Sequence, residues 1–364
     1  MRRVFLNPDN DKTWEITCEG ERVIRSNNGG KPREKLFDDP QQAAKYAEKE
    51  MWSKLKKGFI YRNPEAAPGS PLFQLHIGSG YTGFMPLAAV PGTNQFYAGY
   101  VVGQFEKEEI YHLDEHGQKQ LIWVLEGNHL IYDMFYCPEA GELLIDDSHQ
   151  ISGLSADGGV HSYTSFTRDS ILSLSGNRGL WYDGARLIVM DLLTKEHLYQ
   201  TEATPEMVNG YSRQLCGGLA RSGRRIAYCT HPDTMVIYDL DTGIEHSIAK
   251  EISAMTVAMY FSADDRYLFT QERYGSGELA CYDMNSLTRR SEWRKEQVSS
   301  FAVHPAKPLL ALFRFGKVEL YHTESWQRIL EFKPEHVVKN CKLVFTEDYL
   351  ALYSDYGCIS LYAI

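Results

Sequence analysis

A repeat with a period near 40 residues is the feature that most constrains the fold of this 364-residue chain. Four strand-like segments near the C-terminus carry a tyrosine at their third position, and these tyrosines are 44, 39 and 41 residues apart: Val236–Asp239, Ala280–Asp283, Glu319–His322 and Ser360–Ala363. An apolar run and a polar turn precede each segment. Units of this kind bury both faces only when they stack in a ring, so the period predicts a β-propeller.

The ends of two repeat segments point to a particular kind of propeller. Tyr238-Asp239 and Tyr282-Asp283 resemble the Trp-Asp end of a WD40 strand, and Asp241-Thr242-Gly243 resembles the turn that follows it. Weaker units lie at residues 109–112, 143–146 and 188–191. The predicted fold class is therefore mainly β, with a WD40-like β-propeller of about seven blades over residues 71–364 and a small α+β domain before it. Six and eight blades are the alternatives.

The two ends of the predicted propeller are expected to meet. The last repeat unit of the sequence contains only three predicted strands, which leaves one strand missing from that blade. The apolar segment Leu72–His76 is a candidate for this strand, because a shared blade would tie the ends together and remove both open sheet edges.

The first 61 residues predict a separate small module. Asp39 is a candidate helix N-cap, Pro40 stands at the first helical position, and Gly58 ends the segment. Between them, apolar residues recur at helical spacing and should face the preceding strands: Ala43, Ala47, Met51 and Leu55. Residues 62–70 contain two prolines and a glycine and are predicted to form a linker.

This module resembles the WGR domain. The matching pieces are residues 12–16, Arg22-Val23, Phe37, Ala43-Ala44 and residues 54–59, although the Trp-Gly-Arg tripeptide itself is absent. The resemblance implies a module that contacts DNA ends or neighbouring protein domains. Four basic residues would make a nucleic-acid contact: Arg25, Lys31, Arg33 and Lys35.

Charge and cysteine content restrict the partners and the compartment. Residues 1–66 carry a net charge of +3 and residues 67–364 a net charge of −13, so the propeller should repel phosphate. The seven cysteines include no CxxC pair, which favours reduced thiols in the cytoplasm. The sequence contains neither an apolar run long enough to span a membrane nor an export signal, and we expect no membrane association.

The polar clusters that could form a catalytic or metal site are each explained more simply as polar turns. The sequence contains neither a GxSxG nor a P-loop motif. His112 and His116 flank an acidic pair at an expected hairpin turn, and a polar turn is favoured over a metal or acid–base cluster for Asp146, Asp147 and His149. We therefore predict no catalytic residue, no metal site and no cofactor.

The function that these observations favour is a non-enzymatic scaffold or adaptor for an unidentified protein partner, of unknown oligomeric state. The two alternatives are a nucleic-acid-associated adaptor that uses the first module and a propeller enzyme with a site at the channel mouth. The acidic balance suggests a partner with basic groups. Loop carboxylates are the predicted contacts, in one of two alternative groups: Glu106, Glu108, Asp114 and Glu115, or Asp264 and Asp265.

Overall fold

The fold is described from a computed structural model of the chain. The structure describes all residues except 79–84, 104–105, 128–129, 148–149, 164–169, 204–214, 251–255 and 273–276. The described part is mainly β, with one α-helix and one short 3-10 turn, at Ser291–Trp293. The prediction of a mainly β chain is confirmed.

The small α+β unit at the start consists of five strands and one helix. Its strands are β1 (Arg2–Asn7), β2 (Lys12–Glu19), β3 (Arg22–Asn27), β4 (Arg33–Leu36) and β5 (Ile60–Arg62), and its helix is α1 (Pro40–Leu55). They pair in the order β5-β1-β2-β3-β4. Strand β1 was not predicted from the sequence.

The predicted helix boundary and buried face are confirmed. The Asp39 side chain accepts a hydrogen bond from the backbone N–H of Gln42 at 2.8 Å, which satisfies a donor that the first helical turn leaves free. The four predicted apolar residues are all buried. They pack against Phe5, Trp14 and Ile16 of the sheet.

Six four-stranded antiparallel sheets follow, each a meander of consecutive strands. The first three are β7–β10 (Leu87–Ala89, Phe96–Val102, Lys107–Leu113, Lys119–Glu126), β11–β14 (Asp133–Cys137, Glu142–Asp146, Ile151–Ser155, Val160–Ser162) and β15–β18 (Ser170–Ser175, Arg178–Tyr182, Arg186–Asp191, His197–Glu202). The next three are β19–β22 (Cys216–Leu219, Arg225–His231, Thr234–Asp239, Glu245–Ala249), β23–β26 (Thr256–Phe261, Tyr267–Glu272, Glu278–Asp283, Thr288–Arg289) and β27–β30 (Val298–Val303, Leu309–Arg314, Lys317–His322, Arg328–Phe332). The described residues therefore contain six separate four-stranded blades, whereas about seven were predicted.

The last three strands close the ring through a strand from the start of the propeller. They are β31 (Cys341–Phe345), β32 (Tyr349–Ser354) and β33 (Cys358–Ala363), and β33 pairs antiparallel with β6 (Pro71–His76). The predicted closing strand is confirmed. Successive first strands β7, β11, β15, β19, β23, β27 and β31 contact one another, and β31 also contacts β7. These strands surround a central channel.

The small unit continues this closing sheet. Strand β5 pairs with β6 on the edge that β33 leaves free, so one nine-stranded sheet runs through both parts of the chain. Of residues 62–70, predicted as a linker, Arg62 ends β5 and residues 63–70 form an ordered connection between β5 and β6. The backbone N–H of Asn63 bonds to the carbonyl of Leu72, and that of Gly69 to the carbonyl of Ala363.

Packing between blades explains the repeated tyrosines. Tyr282, Tyr321 and Tyr362 are almost fully buried, and Tyr238 lies partly buried beside Tyr199. Tyr362 packs among residues of the neighbouring blade, including Leu320 and Phe313. The prediction that this series packs blades together, and is not a stacking platform for ligands, is confirmed.

Candidate functional site at the channel mouth

The central channel contains a cavity of about 180 Å³ at one end. Its wall consists of the first strands of the blades and of the turns that follow them, including Val90–Gly92, Arg221, Pro305 and residues 346–347. In an antiparallel meander, the turns after the first and third strands lie at the same end of the blade. The cavity therefore opens on the end of the ring where these turns gather, which we call the channel mouth.

Two opposite charges meet across this cavity. The ammonium of Lys342 in β31 lies 3.3 Å from a carboxylate oxygen of Asp133 in β11. Burial by itself would lower the pKa of Lys342, but the Asp133 carboxylate and nearby Tyr260 outweigh it, so that the pKa is raised. Lys342 therefore stays charged, and Asp133 neutralises it within the channel.

Arg221 supplies a further positive charge to the cavity wall. Its turn follows β19 and is anchored by backbone contacts: Asp265 accepts hydrogen bonds from the N–H groups of Arg221 and Ser222 at 2.5 and 2.9 Å. The Nε of Arg221 is inaccessible to solvent and has no hydrogen-bond partner among the described residues, and the Asp265 carboxylate acts on the guanidinium as a counter-charge. Burial lowers the pKa of Arg221 below its usual value, although an arginine remains charged at neutral pH.

Aromatic and apolar groups complete the wall. Tyr260 stacks edge-on against Phe301 at 5.1 Å between ring centres, and Phe135 and Val344 also line the cavity. The Lys342 ammonium lowers the pKa of Tyr260, whereas burial and the Asp133 carboxylate raise it. The pKa of Tyr260 is raised as a result. Tyr260 therefore remains a neutral hydroxyl close to both charged groups.

The basic residues predicted in the small unit lie near one another, at the β3–β4 edge of its sheet. Arg25 and Arg33 face each other in the register of the two strands. Arg25 forms an ion pair with Glu50 at 2.5 Å, and the ammonium of Lys35 lies 4.3 Å from the ring centre of Tyr46. Lys31 is exposed in the preceding loop. Two of the four predicted side chains are therefore already engaged within the unit.

One of the predicted loop carboxylates is not on the surface. Glu108 lies in β9 and is 1% exposed, so its prediction as a loop residue was wrong. It accepts a hydrogen bond from the backbone N–H of Ile131 at 2.9 Å. Burial, reinforced by repulsion from Asp147, raises the pKa of Glu108 to about 7. The burial of Glu108 was not predictable from the sequence, because a charged residue near the start of a strand resembles a turn residue.

The other predicted carboxylates divide between the two ends of the ring. Asp114 and Glu115 follow a third strand, β9, and Asp264 and Asp265 follow a first strand, β23, so all four lie at the channel mouth. Glu106 lies between β8 and β9, at the opposite end. Asp265 is occupied by the backbone of the Arg221 turn.

The residues considered for metal or acid–base chemistry have structural contacts. Asp146 and Asp147 are buried, and each accepts a hydrogen bond from a backbone N–H, of Ile171 and Gln150 respectively. His149 lies outside the described residues. Among the described residues, no group of three or more His, Cys, Asp or Glu side chains is arranged to hold a metal ion.

The two histidines of the first blade lie in different surroundings. His112 packs on Tyr97 at 5.1 Å between ring centres, and its Nε2 lies 3.2 Å from the side-chain oxygen of Gln95. His116 is exposed in the following turn.

No described helix is long and apolar enough to cross a membrane.

Sequence reasoning missed the charges of the channel. Asp133, Arg221 and Lys342 are far apart in sequence; Asp133 and Lys342 lie within first strands and Arg221 in the turn after one. The signal that could have found them was their place on first strands or the turns after them, since those strands line a propeller channel.

Comparisons with known proteins support the architecture. No family model matches the chain, and no curated protein sequence matches it either. Solved structures do match. A chain in the crystal structure of a mitotic checkpoint complex is 10% identical with a TM-score of 0.63, covering 83% of this chain and 96% of that one.

A second match is Raptor from Chaetomium thermophilum, which is 12% identical with a TM-score of 0.57. This match covers 79% of the present chain and 29% of Raptor, so the chain corresponds to less than a third of that protein. At these identities the likeness shows the fold alone. The described sheets and these neighbours together establish a WD40-like β-propeller.

Proposed function

We propose that this protein is a non-enzymatic scaffold whose protein partner docks at the channel mouth. The observation that carries the proposal is the convergence there of Arg221, Lys342 and Tyr260 within an aromatic-lined cavity. A closed ring of blades holds these groups on rigid strands, which reduces the ordering cost of binding. One structural neighbour is a chain of a mitotic checkpoint complex, and membership of a multiprotein complex accords with this function.

The same proposal includes the organisation of the chain. We propose a WGR-like module at residues 1–61, a connection at 62–70 and a propeller at 71–364. We count seven blades, taking β31, β32, β33 and β6 as the seventh. This count is supported by the contacts of β31 with both β27 and β7. All seven cysteines are free thiols, which supports a cytoplasmic location.

Nucleic-acid binding through the small unit is the less favoured function. Arg25 forms an ion pair with Glu50, and the Lys35 ammonium lies over the ring of Tyr46. Both side chains would have to break these contacts in order to bind a phosphate. The chain as a whole has a net charge of −10. We expect duplex DNA ends to bind with a Kd of about 10⁻⁴–10⁻⁶ M or weaker at physiological salt. A nanomolar Kd in a fluorescence-polarisation titration would reverse this preference.

Affinity capture with matched variants tests the scaffold function. The full chain is immobilised and exposed to an extract of its source, and bound proteins are quantified for wild type, Arg221→Gln and Arg224→Gln. Arg224 belongs to the same turn but is exposed and pairs with Asp241. A partner that Arg221→Gln loses and Arg224→Gln retains supports docking at the mouth.

Two results would contradict the proposed function. Equal capture by both variants would place the partner elsewhere on the protein. Turnover of a small molecule by purified protein, with loss of that turnover in Lys342→Met or Asp133→Asn, would favour the enzyme alternative with its site at the same mouth.

A further inference from the structure

The outer strand of each four-stranded blade leaves one sheet edge unpaired, and the edge of β22 opens into a groove. The groove has a volume of about 570 Å³ and is lined by Glu245–Ala249 of β22 and by residues 287–289 of the next blade. There is room for it because β26, the outer strand of that blade, contains only two residues. Successive strand residues point to opposite faces of a sheet, so a groove lined by consecutive residues runs along the edge of β22.

The backbone groups that face this groove follow from the pairing of β22 with β21. The N–H of Asp239 bonds to the carbonyl of Ile244, and the N–H of Lys250 bonds to the carbonyl of Asp233. In an antiparallel pair, residues that bond to the partner strand alternate with residues whose N–H and C=O point away from it. The outward groups therefore belong to the alternate residues between these two contacts: Glu245, Ser247 and Ala249.

The outward groups of β22 form a template for another strand. Among the described residues, β22 pairs with β21 and with no other strand. Unpaired donors and acceptors at a sheet edge bind an extended segment of another chain through main-chain hydrogen bonds. A strand rises about 3.3 Å per residue, so a segment of about five residues matches the length of β22.

The side chains around the groove limit which segment fits. Ile248 is buried in the apolar cluster between this blade and the next, and Leu287 packs against the same cluster. Arg289 forms an ion pair with Glu278, so its charge is compensated. Glu245 is exposed and forms no ion pair within the described part of the chain. Residues directly opposite each other stabilise a strand pair when their charges are opposite, so a basic residue is favoured opposite Glu245.

We propose that β22 binds an extended segment of a partner protein as a fifth strand of its blade. Antiparallel pairing is the more stable arrangement. The segment places an apolar side chain opposite Ile248, against Leu287, and a basic side chain opposite Glu245. Its backbone bonds to the outward groups of Glu245, Ser247 and Ala249. This contact lies on the outer side of the ring and is separate from the channel mouth, so it goes beyond the function proposed there.

Calorimetric titration of the full chain with a blocked peptide, acetyl-Thr-Val-Thr-Val-Lys-amide, tests this pairing. In antiparallel register, the first, third and fifth residues of the peptide face Ala249, Ser247 and Glu245. A methyl group on the third backbone nitrogen removes a hydrogen bond to β22, whereas the fourth nitrogen points away from β22. We expect methylation of the third nitrogen to weaken binding about tenfold and methylation of the fourth to weaken it less than about twofold.

Variants then assign the binding to the edge of β22. Ser247→Pro removes the outward N–H and should weaken binding of the unmodified peptide at least about tenfold, whereas Ser247→Val keeps the N–H and should bind as wild type does. The pairing with β21 does not use this N–H, so both variants should keep the wild-type Tm, which is measured alongside.

The charge of Glu245 is tested with a second peptide that has glutamine in place of lysine. Wild type should bind this peptide about threefold more weakly than the lysine peptide, and Glu245→Gln should bind the two equally. Arg221→Gln, which tests the channel mouth, should leave peptide binding unchanged. Failure of the scaffold function at the mouth is therefore distinguishable from failure of this inference.

The inference is overturned if the lysine peptide shows no binding up to about 10 mM, where affinity would be negligible. It is also overturned if methylation of the third nitrogen costs no more affinity than methylation of the fourth. Sedimentation of the protein alone identifies a different occupant: a dimer that Ser247→Pro dissociates would place a second copy of the chain at this edge and exclude the partner segment.

Discussion

Lowering the pH from about 7.5 to 5 should weaken the protein through two histidines that hold helix α1 against the closing sheet. The ring of Trp52 in α1 lies 5.1 Å from that of His76 in β6 and 5.1 Å from that of His336. The Nε2 atoms of both histidines are buried and have no hydrogen-bond partner among the described residues. Protonation would place a charge against Trp52 in a poorly solvated position.

The electrostatic surroundings of both histidines favour the neutral ring. Burial lowers the pKa of His76 to about 4, helped by Lys56 and Lys119 and opposed by a hydrogen bond with the backbone of Tyr356. Burial also lowers the pKa of His336 to about 4, with Arg3 assisting and Glu335 opposing.

The size of the effect follows from linkage. Each folded-state pKa is depressed below the unfolded value of about 6.5, so below that pH the unfolded chain binds more protons than the folded chain. Their contribution is complete above about pH 6.5 and is lost as the pH falls towards 4. At pH 5 each histidine should cost about 2 kcal/mol, or about 4 kcal/mol together, against a typical stability of 5–15 kcal/mol.

Urea unfolding at pH 7.5 and 5, followed by tryptophan fluorescence, measures this loss. The variant His76→Gln/His336→Gln should lose about 4 kcal/mol less than wild type over the interval. His246→Gln, at an exposed position, is the control and should lose as much as wild type. The reasoning is refuted if the double variant loses stability as steeply as wild type.

Three further predictions concern other buried contacts. Arg3→Met should lower the free energy of unfolding by about 3 kcal/mol, because it leaves Glu335 without its ion-pair partner, and Arg3→Met/Glu335→Gln should recover part of the loss in urea unfolding. The pKa of Glu108 is raised to about 7, so the stability that Glu108 contributes below its unfolded pKa is lost as the pH rises through 7. In wild type this loss should lower the free energy of unfolding by about 1 kcal/mol between pH 6 and 8, and Glu108→Gln should remove it. The same pH dependence of the free energy of unfolding in both proteins would contradict this. Phe73→Asp should unfold the propeller in circular-dichroism melts, since Phe73 is fully buried in the closing strand, whereas Leu72→Asp, at a partly buried position of the same strand, should cost less. Equal losses would mean that the burial of Phe73 does not set the size of the effect.

Local patterns were sufficient to predict several elements. The capping residue Asp39 and the apolar spacing along α1 involve neighbours within a few turns, so the helix could be read without knowing what surrounds it. The closing strand was predictable because an incomplete last repeat needs a fourth strand, and the segment at residues 72–76 alone offered one next to the connection.

Contacts between distant residues were not predictable in this way. Arg3 pairs with Glu335 across 332 residues of sequence, and the strand that carries Arg3 was itself missed. The connection at residues 63–70 has the composition of a flexible linker, but pairing of β5 with β6 makes it part of a continuous sheet. Composition reports local propensity and does not record the partners that a folded chain supplies.

The sequence by itself determined the repeating strands, the apolar positions that pack the blades and the helix of the small unit, because each depends on periodicity along the chain. Only the tertiary structure decided which charges meet. Asp133 and Lys342 are 209 residues apart and come together because the ring brings first strands to one axis. Arg221 lines the same channel because Asp265 accepts a hydrogen bond from its backbone N–H, which leaves the side chain on the cavity wall.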